Sequence, residues 1–180
     1  MRKVTLSCIK TSAITLCVCF AGMLGACDGV TSTFSPYLDQ YSKAGSEGKT
    51  DLPDTIKAIV LVCDNQTDLN GKNPPNYRFG VEEYNELPDE MKADSPEEVN
   101  TIIRITEIHE VVGYYKLVDS NTKVSDAYAI RAYVTVINAD TGIIWVKDRM
   151  FYNNPPEHVD VLARVPMDQI VDFIREASPG

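Results

Sequence analysis

Apolar residues fall along this chain in four patterns, and each predicts a different kind of element. The first is a run from Ala13 to Leu24, broken only by Thr15 and Gly22 and preceded by Arg2, Lys3 and Lys10. A basic stretch followed by an apolar one is the order of a secretory signal. A membrane-crossing helix needs about 20 apolar residues, and this run is shorter. The second pattern is the continuous, β-branched block Ala58-Ile59-Val60-Leu61-Val62-Cys63, which predicts a buried strand ending at a buried thiol. The third is the alternation between Tyr128 and Tyr152, which predicts a β-hairpin. The fourth places Met167, Ile170, Val171 and Ile174 at helical spacing behind Pro166, so a helix is expected over 166–178 with one apolar face.

The intervening segments carry weaker signals. Residues 28–56 are rich in Ser, Thr, Gly and charge, and such composition predicts a flexible tether reaching roughly 25–30 Å. Residues 64–76 are dense in Asp, Asn, Gly and Pro and predict a long loop. Ser95-Pro96-Glu97-Glu98 fits a capping box with proline at the first helical position, so a short helical turn should start there. From Asn100 to Ile108 the β-branched residues favour strand over helix. Val111 to Val118 is expected to be extended, with a bend or bulge at Gly113.

In the hairpin, Asp140-Thr141-Gly142 suits a three-residue loop with Gly142 in the left-handed region. That register sets Ala139 opposite Ile143, Ile137 opposite Trp145 and Tyr133 opposite Arg149. The period of two then divides the side chains. Ile130, Ala132, Val134, Val136, Ile144, Val146 and Met150 form the core face. Arg131, Tyr133, Thr135, Trp145, Lys147, Arg149 and Phe151 point outward. The expected fold class is α+β: a four- or five-stranded, mainly antiparallel sheet with a C-terminal helix packed on one face. The expected organisation is a leader over 1–26, a tether over 27–55 and a single domain over 56–180.

The apolar leader ends in Leu24-Gly25-Ala26-Cys27. This tetrapeptide resembles the lipobox of bacterial lipoproteins: an apolar residue, two small residues and the cysteine that is acylated. The resemblance implies cleavage after Ala26, a lipid thioether on Cys27, and attachment to the extracytoplasmic side of the cell membrane. Asp28 resembles the inner-membrane retention signal of enteric Gram-negative lipoproteins. Ordinary signal cleavage after Ala26, and an uncleaved membrane anchor, are the alternatives.

Charge and cysteines narrow the function classes. The chain has 17 basic and 26 acidic residues. Without the three basic residues of the leader, 14 face 26, a formal −12. Nucleic acid is thereby an implausible partner, and anionic bilayers repel the domain. Cys8, Cys17, Cys19 and Cys27 precede or begin the mature chain, leaving Cys63 alone in the folded part, so no disulfide framework is expected.

The outward hairpin face is the leading candidate site. Arg131, Tyr133, Trp145, Lys147, Arg149 and Phe151 would gather three cations and three aromatics on an otherwise anionic chain. Aromatic faces stack on sugars and guanidinium groups grip carboxylates, so a cell-wall glycan or an acidic protein segment suits them. The plainer explanation is a solvated sheet face with Tyr133 stacked on Arg149. Asp64, Asp68 and Asn70 before Gly71 suggest an oxygen-ligand loop, but Tyr77 stands where a calcium loop needs its bidentate Glu. Glu82 to Glu98 form an acidic run suited to solvent or to a basic partner. Glu107-Ile108-His109-Glu110 lacks the second histidine of a zinc-protease helix. On a strand, His109 and Glu110 face opposite ways. A Cys63–His109 nucleophile pair would need an accessible thiol. No cofactor, metal or catalytic group is expected.

Gly113-x-Tyr115, Ala127-Tyr128, Val134-Thr135-Val136-Ile137, Asp140-Thr141-Gly142, Phe151 and Pro155-Pro156 together resemble a domain of exported bacterial proteins without an assigned activity. The resemblance spans roughly 100–175, implies the hairpin and an exported setting, and adds no catalytic residue. The expected function is therefore a membrane-anchored lipoprotein with a non-catalytic binding or interaction domain at the cell envelope. The alternative is capture of a small ligand or cell-wall glycan on the aromatic and basic sheet face.

Overall fold

A computed structural model describes residues 29–64, 76–116, 122–157 and 163–177. The leader, the lipobox and most of the 64–76 loop, including Asp68, Asn70 and Gly71, lie outside the described residues. So does His158.

Five strands form one sheet: β1 (Ala58–Asp64), β2 (Arg78–Phe79), β3 (Thr101–Lys116), β4 (Lys123–Asn138) and β5 (Ile143–Asn153), in the order β2-β1-β3-β4-β5. The fold is α+β, and the sheet is antiparallel except for the β1–β3 pair. That parallel pair demands a long crossover, and the chain between Asp64 and Thr101 supplies it. The crossover holds β2, α2 (Val81–Asn85) and 3₁₀ turns at Asp89–Met91 and Pro96–Glu98. Its apolar residues Tyr84, Leu87, Met91, Ala93 and Val99 are buried, and the Tyr84 hydroxyl donates to the Ala93 carbonyl at 2.8 Å. The turn expected at Ser95 forms as a single 3₁₀ turn with Pro96 in its first position. Its reciprocal cap does not form. Glu98 Oε2 instead accepts from the Asp94 N–H at 3.0 Å.

The strand expected over 58–63 is β1, and Ala58 to Val62 are fully buried, with Cys63 beneath the surface at its end. The two extended pieces expected after Asn100 form one strand, β3, as far as Lys116, with an irregularity at Val111–Gly113, where a bend or bulge is expected; residues 117 and 118 lie outside the described residues. The C-terminal helix (Met167–Ala177, here α3) buries Met167, Ile170, Val171 and Ile174, the four residues of the predicted stripe.

The hairpin departs from expectation. Four residues, Ala139 to Gly142, join the strands, and Asn138 pairs with Ile143, Ile137 with Ile144, and Tyr133 with Met150. Asn138 explains the longer loop. Its Oδ1 accepts from the Asp140 and Thr141 N–H groups at 3.1 Å each, and its Nδ2 donates to the Asp51 carbonyl at 2.8 Å. Gly142 is left-handed as expected, at φ +66°. Two further irregularities follow in β5. Trp145 is the extra residue between the Ile137–Ile144 and Val136–Val146 pairs, and Lys147 with Asp148 stands opposite Thr135 alone. Asp148 takes φ +52°, and its N–H donates to Thr135 Oγ1 at 3.2 Å. Each inserted residue reverses the alternation that follows it. Met150, read as core, is therefore 51% exposed.

Both sheet faces are covered. Val60, Val62, Ile103, Ile105, Val134 and Val136 share one face by register, with Phe151 of that face touching Phe173 of α3. Ile59, Leu61, Ile102 and Ile137 share the other. That second face lies under the segment read as a tether. From residue 29 the segment is helical, continuing through a 3₁₀ turn at Ser35–Tyr37 into α1 (Leu38–Lys43). Phe34, Tyr41, Leu52 and Ile56 are buried members of the core, so the folded unit reaches back at least to residue 29. Their spacing along the chain is too sparse to show as a pattern.

Candidate functional site

The six residues expected on one outward face are not brought together. Trp145 and Phe151 are half-buried against Phe173, at ring-centroid distances of 5.5 and 5.8 Å. Arg149 lies over the same ring at 5.4 Å. These three serve helix packing. Arg131, Tyr133 and Lys147 fall on the opposite face, where Arg131 pairs with Glu110 and Lys147 with Glu47 at 3.8 Å. The bulges at Trp145 and Asp148 cause the split.

His109 is on β3, and its Nε2 lies 3.4 Å from Glu107 Oε2. Cys63 registers with Thr106, three residues before His109, so thiol and imidazole stand on opposite faces. The pair envisaged for nucleophilic chemistry is thereby separated by the sheet. Glu107 is buried, and burial pushes its carboxyl above the ordinary carboxylate range. The Glu83 charge adds to this, against the opposing effects of His109 and Arg78. Together with Glu82, Glu83, Glu86, Arg78 and Arg164 it lines a cleft of about 510 Å³. Among the described residues no three His, Cys, Asp or Glu side chains are grouped to hold a metal ion.

Two other features stand out. The first is a two-stranded ribbon. β1 accompanies β3 only as far as Glu107, and β5 accompanies β4 only from Ile130 onward. Beyond these points β3 and β4 continue as a pair, with Val111 opposite Tyr128 and Tyr114 opposite Asp126. The Tyr115 hydroxyl ties the ribbon to the Pro156 carbonyl at 2.6 Å. Val111, Val112, Tyr114, Val124 and Tyr128 are 42–54% exposed. They are five of the eight exposed large apolar residues among those described. In the sequence the signal was the unalternated Val111-Val112-Gly113-Tyr114-Tyr115. A strand with a solvated face alternates apolar and polar residues, and this one does not.

The second feature is a cleft of about 670 Å³ between α1 and the sheet, lined by Leu38, Lys43, Tyr77, Arg104, Ile144 and Lys147 among others. Arg104 stands on the central strand β3, flanked by Leu61 and Thr135. Its Nη1 donates to the Ser42 carbonyl at 2.9 Å, which closes the C-terminal end of α1. The guanidinium lies over the Tyr77 ring at 5.4 Å.

Comparison with protein-family models, with curated proteins and with solved structures finds no match for this chain. Among the described residues no helix is long and apolar enough to cross a membrane.

Proposed function

We propose that this protein is an envelope lipoprotein, anchored through Cys27, whose domain holds a partner protein on the β3–β4 ribbon. The observation that carries the reading is the ribbon itself. A chain that covers both faces of its sheet leaves Val111, Val112, Tyr114, Val124 and Tyr128 in solvent. Clustered exposed apolar side chains of this kind mark contact sites. A protein partner is favoured over direct lipid contact because the mature chain carries a formal −12 and anionic headgroups repel it.

The anchor reading rests on Leu24-Gly25-Ala26-Cys27. It implies that Cys27→Ser moves the protein from the membrane fraction to the soluble one. The contact reading is tested by Val111→Ser, Tyr114→Ser and Tyr128→Ser combined. These side chains are largely exposed, so the melting temperature should move by only a few degrees, about 4 °C at most. Recovery of the co-purifying envelope protein should fall at least about tenfold, equivalent to about 1.4 kcal/mol of contact energy. Unchanged recovery would exclude the ribbon. Flotation of the non-acylated domain with vesicles would assign the ribbon to lipid instead.

A further inference from the structure

Arg104 is a charge placed where the surrounding sequence calls for an aliphatic side chain. Its neighbours Ile102, Ile103 and Ile105 are fully buried. Arginine at such a position normally meets a carboxylate, because a buried charge without a counter-ion is costly. Among the described residues Arg104 makes no ion pair. Its Nε is buried with no acceptor, and burial lowers its pKa from the ordinary value, against the smaller opposing effects of Tyr77 and Asp148. The Ser42 carbonyl takes one of five N–H groups. The backbone is shaped around the head group as well. Gly45 has φ +112°, and a Cβ there would lie 3.0 Å from Arg104 Nη2.

We propose that the cleft between α1 and the sheet binds a small organic monocarboxylate, paired to the Arg104 guanidinium with its apolar body between Leu38, Tyr77 and Ile144. Charge selects the monoanion. Of the cations lining the cleft, Lys43 pairs with Asp39 and Lys147 with Glu47, which leaves Arg104, without an ion pair among the described residues, to meet a single carboxylate. Shape selects an organic acid over a bare ion. About 670 Å³ is a ligand-sized space, with apolar walls supplied by Leu38 and Ile144 and an aromatic face by Tyr77. The guanidinium fork matches a carboxylate with two parallel bonds. This site is separate from the ribbon, and either can fail without the other.

The test is titration of the full mature chain with phenylacetate and hexanoate, following the arginine side-chain Nε–H resonances by NMR. 2-Phenylethanol, hexanol and inorganic phosphate serve as references. One arginine resonance should shift saturably with both carboxylates, at affinities at least about tenfold tighter than for the alcohols or phosphate. That resonance should be absent in Arg104→Lys. Tyr77→Ala, which leaves the arginine in place, should weaken phenylacetate at least about threefold and remains informative if Arg104→Lys does not fold. No saturable shift with either carboxylate up to about 10 mM would overturn the proposal. Equal binding of the alcohols would overturn the role of Arg104, and equal binding of phosphate would overturn the choice of a monocarboxylate.

Discussion

Glu107 is a carboxyl buried on the central strand β3, between Asp64 and Ala132 in register. Burial, with the Glu83 charge behind it, raises its carboxyl above the ordinary value of 4.5. The folded state therefore holds that proton more tightly than the unfolded chain. The stability this group contributes is full below the ordinary value and is lost as pH rises through the raised one. Glu107→Gln removes the cost of the buried charge. It should melt higher than the parent at about pH 8, with the gap closing by about pH 4. A lower melting temperature for Glu107→Gln at about pH 8 would show that the His109 contact outweighs burial. Two glycines separate backbone from space at the same scale. Gly142→Ala should cost about 1 kcal/mol for its left-handed backbone, and Gly142→Asn should recover most of it. Gly80→Ala should cost about 2 kcal/mol, because the added Cβ would lie 2.6 Å from Val62 Cγ2 and 2.8 Å from Glu83 Oε2. Chemical denaturation of the three variants checks both.

At the scale of elements, legibility in the sequence followed the density of the apolar pattern. β1 and α3 were readable because six consecutive apolar residues, Ala58 to Cys63, and a four-residue stripe each leave one reading. The hairpin was readable as a hairpin, but its faces were not. Asn138 holds a four-residue loop through its side chain. Asp148 enters the left-handed region at a bulge, and no glycine advertises it. The candidate face dissolved for that reason, since two bulges place Trp145, Arg149 and Phe151 against Phe173. The ribbon was legible in principle from the missing alternation after Val111. The Arg104 cleft was not, because its walls come from separate stretches of chain, from Ser35 to Asp148, that no local pattern connects. Trp145 is the chain's single tryptophan and reports α3 docking directly. Phe173→Ala should shift its emission to the red and cost about 1–2 kcal/mol of stability. An unchanged emission maximum would mean that α3 does not pack on Trp145 in solution.

At the scale of the whole molecule, the segment before β1 changes the picture most. Phe34, Tyr41, Leu52 and Ile56 are buried, each worth about 1.5–3 kcal/mol. Together they contribute about 6–12 kcal/mol, comparable to the entire stability of an ordinary domain. A chain beginning at residue 57 should therefore show no cooperative thermal transition, whereas one beginning at residue 29 should. Equal melting of the two would restore the tether. On the proposed reading, this folded domain, anchored through Cys27, holds a partner protein on the β3–β4 ribbon. Site-specific photo-crosslinking in growing cells tests this most directly, with the photoreactive residue at Val112 or Tyr114, and at Asp168 on the exposed side of α3 as reference. A partner held on the ribbon gives one discrete adduct from both ribbon positions and none from Asp168. No adduct from the ribbon, or the same adduct from Asp168, would contradict it.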